Sequence, residues 1–232
     1  MNLSMLKAFL ERPAVGRADR SLFAGSRIWD ADGGRYRGEY ACYPVVSLDF
    51  SGAAGSGAAV AGVVRDALSS ECVRLLPFLE APDLPRDKVR HIERVARGAA
   101  NEDEVDSVLA VLIELLEMAC DEQVVLLVDG YDAAWLSRSA MRGAHDADSA
   151  ELLDRALFDA IAAAGDSLRL ACLMGERPGP AEAALALCGC SYCLTTPLST
   201  WCDRWFGFSD AEVEALLSHA GCVEYLDDAR EW

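Results

Sequence analysis

Long apolar runs are missing from this sequence. Nowhere do about 18 uncharged apolar residues follow one another, the length a membrane helix requires. Cations are scarce as well: Lys and Arg number 21 against 38 Asp and Glu, a formal charge of −17 at pH 7. Such an excess repels nucleic-acid phosphates and anionic membrane surfaces, so neither is expected as a partner of the whole chain. The Met1-Asn2-Leu3-Ser4 start lacks a basic segment leading into an apolar run and a small-residue cleavage site, which argues for a cytoplasmic setting. There the nine cysteines are expected to be reduced and mostly buried as small hydrophobes.

What is present is globular. Of the 232 residues, 52% are hydrophobic and 25% charged, enough to bury a real core in one domain spanning 1–232. Apolar spacing predicts helices over Asn2 to Glu11, after Gly57 through Val60, Val64 and Leu68, from about Asp103 to Glu117, and over 150–164. A short helix is expected at Ala181–Leu187. Ser209 and Glu212 make a capping-box pattern that starts another. Pro77, Pro82 and Pro85 break the stretch between the second and third helices. Strands are expected at Val45–Phe50, Val124–Val128 and Leu168–Met174, with a weaker candidate at Ser191–Thr196. The Val124–Val128 run is uniformly apolar, as a strand covered on both faces must be. Alternating strands and helices predict an α/β fold with a mainly parallel sheet.

The sharpest chemical signal is Val124-Val-Leu-Leu-Val-Asp129. An apolar strand ending in Asp is the Walker-B arrangement, in which the carboxylate holds Mg²⁺ beside a nucleotide's phosphates. Many α/β strands also end in Asp for reasons of loop geometry, and the pattern alone does not separate the two readings.

Several segments recur together: Asn2–Leu10, Leu22–Ile28, Tyr43–Phe50, Val124–Asp132 and Phe206–Leu217. In that order they resemble the bacterial AAA-ATPase-like family, whose P-loop ATPase domain is often followed by a PD-(D/E)XK nuclease-like domain. The resemblance implies a P-loop NTPase-like sheet with flanking helices. It also implies ATP and Mg²⁺ as ancestral ligands, with Asp129 as metal ligand and Asp129, Asp132 and Arg177 around the cofactor.

The departures carry as much meaning. The family's basic, glycine-rich Walker-A loop lies just upstream of the Asn2–Leu10 segment, so the first strand, loop and lysine are expected to be missing here. The pattern Gly-x4-Gly-Lys-Ser/Thr occurs nowhere in the sequence. Where the family has Asp-Glu-Tyr-Asp, this chain has Asp129-Gly130-Tyr131-Asp132, and glycine can neither orient nor deprotonate water. Arg177 follows the third strand where the family has a sensor-like Thr-Gly-x-x-Arg turn, but Met174-Gly-Glu-Arg177 fits that spacing poorly. Arg230-Glu231-Trp232 ends where the family continues toward its nuclease-like domain, so truncation at both ends is expected.

Other constellations have plainer readings. Cys188, Cys190, Cys193 and Cys202 could hold Zn²⁺, but their spacing does not form the usual separated knuckles. His91, His145 and His219 are far apart and read as surface residues. Trp201, Trp205, Phe206 and Phe208 have only Arg204 beside them, which favours packing over base stacking.

The reading is therefore a degenerate ATPase-like domain that binds neither ATP nor Mg²⁺ tightly and shows no activity in isolation. Its alternatives are a non-catalytic protein-interaction module on an ATPase scaffold and a small zinc-binding protein. A sheet without its central strand exposes apolar faces and unpaired edges, so self-association or a partner segment is expected to cover it.

Overall fold

The computed structural model describes residues 2–53, 57–134, 136, 155–176, 193 and 210–230. Among these residues three parallel strands form a sheet, in the order β1 (Val45–Asp49), β2 (Val124–Asp129), β3 (Leu168–Met174). These are the three strands the apolar runs predict. The weaker candidate at Ser191–Thr196 and the helix at Ala181–Leu187 lie outside the described residues, Cys193 excepted.

Alternation along the strands divides the core into two layers. Val45, Val125 and Leu127 face Leu3 of helix α1 (Asn2–Leu10), with Leu6 and Leu10 against them. Val46, Leu48, Val124, Leu126 and Val128 face the opposite way, into the main core. That core is closed by α2 (Gly57–Leu75), α3 (Arg86–Ala96) and α4 (Glu102–Cys120). Because β2 runs between the two layers, Val124 to Val128 are all buried, and this is why the run contains no polar residue.

Helix α4 is the best specified by local sequence. Asn101 caps it, accepting the Glu104 N–H at 2.9 Å while the Glu104 carboxylate accepts the Asn101 N–H at 3.1 Å. Three acidic residues in its first turn complement the helix dipole. Seven apolar residues, Val105 through Leu116, are buried along one stripe.

Helix α3 adds an element that apolar spacing did not predict. The three prolines do break the chain between Leu75 and Arg86, but Pro85 sits at the N-cap with φ −57° and starts a further helix, where a missing N–H costs nothing. Val89, Ile92 and Val95 then bury one face. His91, expected on the surface, is half-buried, with Nε2 2.7 Å from the Glu104 carbonyl oxygen.

The connector between α1 and β1 contains short helical turns, Arg20–Leu22, Arg27–Asp30 and Ala31–Glu39, the last bent by positive φ at Asp32, Gly33 and Gly34. Phe9, Phe23, Trp29 and Tyr40 pack edge-to-face there, with ring centroids 5.2–5.8 Å apart. Of the helix expected over 150–164, the described part is a π-helical turn, Arg155–Asp159, running into α5 (Ala160–Ala164).

The chain divides into two compact units, Met1–Ser191 and Tyr192–Trp232. The described part of the second is α6 (Asp210–Ala220), a 3₁₀ turn at Val223–Tyr225 and α7 (Leu226–Arg230). No described helix is long and apolar enough to cross a membrane.

Candidate functional site at the carboxyl edge of the sheet

Parallel strands deliver their last residues to one edge, the usual place for a site in an open α/β sheet. Here β1 ends in Asp49 and β2 in Asp129, and the two are direct register partners; Asp129 is opposite Met174 of β3. Backbone hydrogen bonds lace the exits together. Phe50 N–H donates to the Asp129 carbonyl at 2.8 Å, and Gly130 N–H to the Met174 carbonyl at 2.9 Å.

The acidic residues at this edge are not equivalent. Asp129 is exposed. Asp49 is also exposed, but its Oδ1 accepts both the Ser51 hydroxyl at 2.6 Å and the Ser51 N–H at 2.9 Å. Those bonds, the hydroxyl's first, hold the Asp49 carboxyl below the usual carboxylate range. Asp132 is 1% exposed, and its Oδ2 accepts the Glu176 N–H at 2.9 Å, joining the turn after β2 to the turn after β3. A side chain at Gly175 would run into the Asp132 carboxylate, so the glycine permits this close approach.

Gly130 has no room for any side chain. Its φ is +65°, and a Cβ would lie 2.5 Å from the Ser51 nitrogen and 2.6 Å from the Ser51 Cα. Both obstacles are backbone atoms, which cannot rotate away.

The residues singled out in the sequence therefore separate. Asp129 reaches the open edge, Asp132 is turned inward, and Arg177 lies outside the described residues. Asp49 and Ser51 were not singled out, although Val45-Val-Ser-Leu-Asp49 repeats the pattern of an apolar strand ending in Asp. Cys193 is exposed, while Cys188, Cys190 and Cys202 lie outside the described residues, as do His145 and the Trp201–Phe208 cluster.

The chemistry of this edge fits Mg²⁺ and ATP only in part. Mg²⁺ is usually held by one or two carboxylates and completed by waters and substrate phosphates, a role open to Asp129. Among the described residues no group of three or more His, Cys, Asp or Glu could hold a metal by itself. For the phosphates the fit fails: the chain's lysines are Lys7, on α1, and Lys88, ion-paired with Glu114, and neither follows a glycine-rich turn.

No curated protein and no solved structure matches this chain. A family model described as Predicted AAA-ATPase matches residues 1–178, which include all three strands, Asp49, Asp129 and Asp132. With an α/β sheet of P-loop NTPase type beneath that match, the chain belongs to the AAA-ATPase-like family.

Proposed function

We propose that this chain is an ATPase-like scaffold that keeps the Walker-B magnesium ligand, Asp129, and does not hydrolyse ATP by itself. The observation that carries the reading is Gly130. The position next to Asp129, where the resemblance implies a water-orienting glutamate, holds a glycine that the Ser51 backbone keeps free of any side chain. Asp132 does not substitute, being buried and engaged by the Glu176 N–H. Removing a single well-placed electrostatic donor commonly costs about 10²–10³ in rate, and the 232 residues contain neither this carboxylate nor a Gly-Lys phosphate loop. ATP and Mg²⁺ are thus weak ligands of this chain.

The test is a magnesium-dependent phosphate-release assay on contaminant-free protein beside Asp129→Ala. Both are expected at background. Hydrolysis abolished by Asp129→Ala overturns the reading.

A second reading, a protein-interaction module, is favoured by the two unlike edges of the sheet. The outer edge of β1 is sealed by Glu71 and Arg74 of α2, whereas β3 has Leu170 44% exposed and every other residue at least partly exposed. Among the described residues no strand pairs with the outer edge of β3, and there a strand from a partner or a second copy would find its hydrogen-bonding groups. Light scattering should then detect self-association or a co-purifying chain, reduced by Leu170→Asp. A monodisperse, thermally stable monomer counts against it.

A further inference from the structure

A cleft of about 670 Å³ opens at the other end of β1 from the carboxylates. Its place follows from the chain path. Glu11 forms a parallel bridge with Tyr43, and Arg12 N–H donates to the Tyr43 carbonyl at 2.8 Å, just before β1 begins. The strand's five residues span roughly 17 Å, so the cleft and the Asp49–Asp129 edge are separate places.

Three arginines line this cleft, Arg12, Arg17 and Arg20, and no acidic residue does. That is unexpected in a chain of net charge −17. Nor do these cations form ion pairs among the described residues. Arg17 and Arg20 are exposed and have no carboxylate partner among the described residues. One Arg12 Nη donates to the Cys120 carbonyl at the end of α4, at 3.1 Å, which fixes the side chain at the cleft. The nearest acids in sequence are otherwise engaged. Glu11 is ion-paired with Arg74, and Asp19 accepts the Ser21 N–H at 2.9 Å.

The rim is held in shape rather than left to fold on binding. Tyr40, 8% exposed within the aromatic cluster, donates its hydroxyl to the Asp19 carbonyl at 2.7 Å and so ties the Arg17–Arg20 segment to the core. Ala41, also lining the cleft, has φ +56°, a conformation costly for a residue with a Cβ and often found where a site requires it. Gly16, between Arg12 and Arg17 in sequence and lining the cleft with them, has φ +86°, which glycine adopts without strain.

From these three guanidiniums around one cleft, without an ion-pair partner among the described residues, we propose that the cleft is a binding site for a small molecule bearing two or more phosphate groups. Guanidinium forks match phosphate oxygens bidentately, and several phosphates are needed to engage three of them. The volume lies within the roughly 300–1,000 Å³ usual for small-molecule pockets. A long nucleic acid would instead meet the acidic surface around the cleft.

The test is calorimetric titration of the full chain at low salt with pyrophosphate, inorganic phosphate and a short single-stranded oligonucleotide. Saturable one-to-one binding of pyrophosphate, tighter than that of inorganic phosphate, is expected. Arg17→Ala with Arg20→Ala should weaken it at least ~10-fold, since each lost charge-assisted contact costs about that much. Because both residues are exposed, the variant should keep its circular dichroism spectrum. Asp129→Ala should leave pyrophosphate affinity unchanged, which separates this cleft from the carboxyl edge. The proposal is overturned by no saturable binding up to about 10 mM, by binding that the double variant retains, or by an oligonucleotide that binds more tightly through the same arginines.

Discussion

Glu71 closes the sheet by accepting the Ser47 N–H at 2.6 Å, doing for the outer edge of β1 what a neighbouring strand would otherwise do. Arg74 completes the closure: Nη2 donates to the Val45 carbonyl at 2.6 Å and to Glu71, and Nη1 pairs with Glu11. Removing Glu71, itself 5% exposed, leaves a strand N–H without its acceptor and Arg74 with one carboxylate fewer. Breaking a fully buried pair costs about 3–5 kcal/mol, and Arg74 is 33% exposed, so Glu71→Ala should cost about 2 kcal/mol. Urea denaturation measures the loss. A cost below about 0.5 kcal/mol, the ordinary surface value, would mean that water replaces the carboxylate without penalty.

Gly130 gives a prediction of the opposite kind, in which adding atoms is harmful. A left-handed φ and a backbone obstacle act together, so Gly130→Ala should destabilise by at least about 2 kcal/mol. Gly130→Glu should do no better and should produce no ATPase activity. A folded Gly130→Glu protein that hydrolyses ATP would refute the account of this turn.

Cys72 should be inert. It is fully buried, and that burial, reinforced by the adjacent Glu71 charge, pushes its thiol up to about 12, well above the range where a reactive thiolate forms. Cys193, in contrast, is exposed. Iodoacetamide labelling followed by peptide mapping should modify Cys193 in the native protein and Cys72 only after unfolding.

The Asp49–Ser51 pair predicts a pH dependence with a definite sign. A carboxyl held below its unfolded value of about 3.9 contributes stability above that pH, and loses it as pH falls through the folded value. Ser51→Ala removes the largest cause and leaves the weaker backbone bond. Its deficit relative to the native chain should be present at pH 7 and shrink on acidification below about pH 4. A deficit constant from pH 7 to pH 3 would assign the effect to packing instead.

Much of this protein is determined by local pattern. An apolar run of strand length between turn residues can be satisfied only by a covered strand, so β1, β2 and β3 are legible as Val45–Phe50, Val124–Val128 and Leu168–Met174 before any contact is known. The α4 stripe and the family resemblance are equally local, since both reside in contiguous residues. Helix α3 was obscured because proline opposes a helix interior but suits its first turn, and only the chain's actual path tells which position Pro85 occupies.

What tertiary structure alone decided is which groups meet. Asp49 became the neighbour of Asp129 through strand register, although the two are 80 positions apart and no spacing rule connects them. Asp132, three residues beyond Asp129, was turned inward by a hydrogen bond from Glu176. The absence of a side chain at Gly130 is written in the sequence, but the reason none can return is the Ser51 backbone lying against it. The cleft of Arg12, Arg17 and Arg20 lies in a chain whose overall charge argues for the contrary. Net charge is a sum over all residues, whereas a binding site depends on the few that folding places around one cavity.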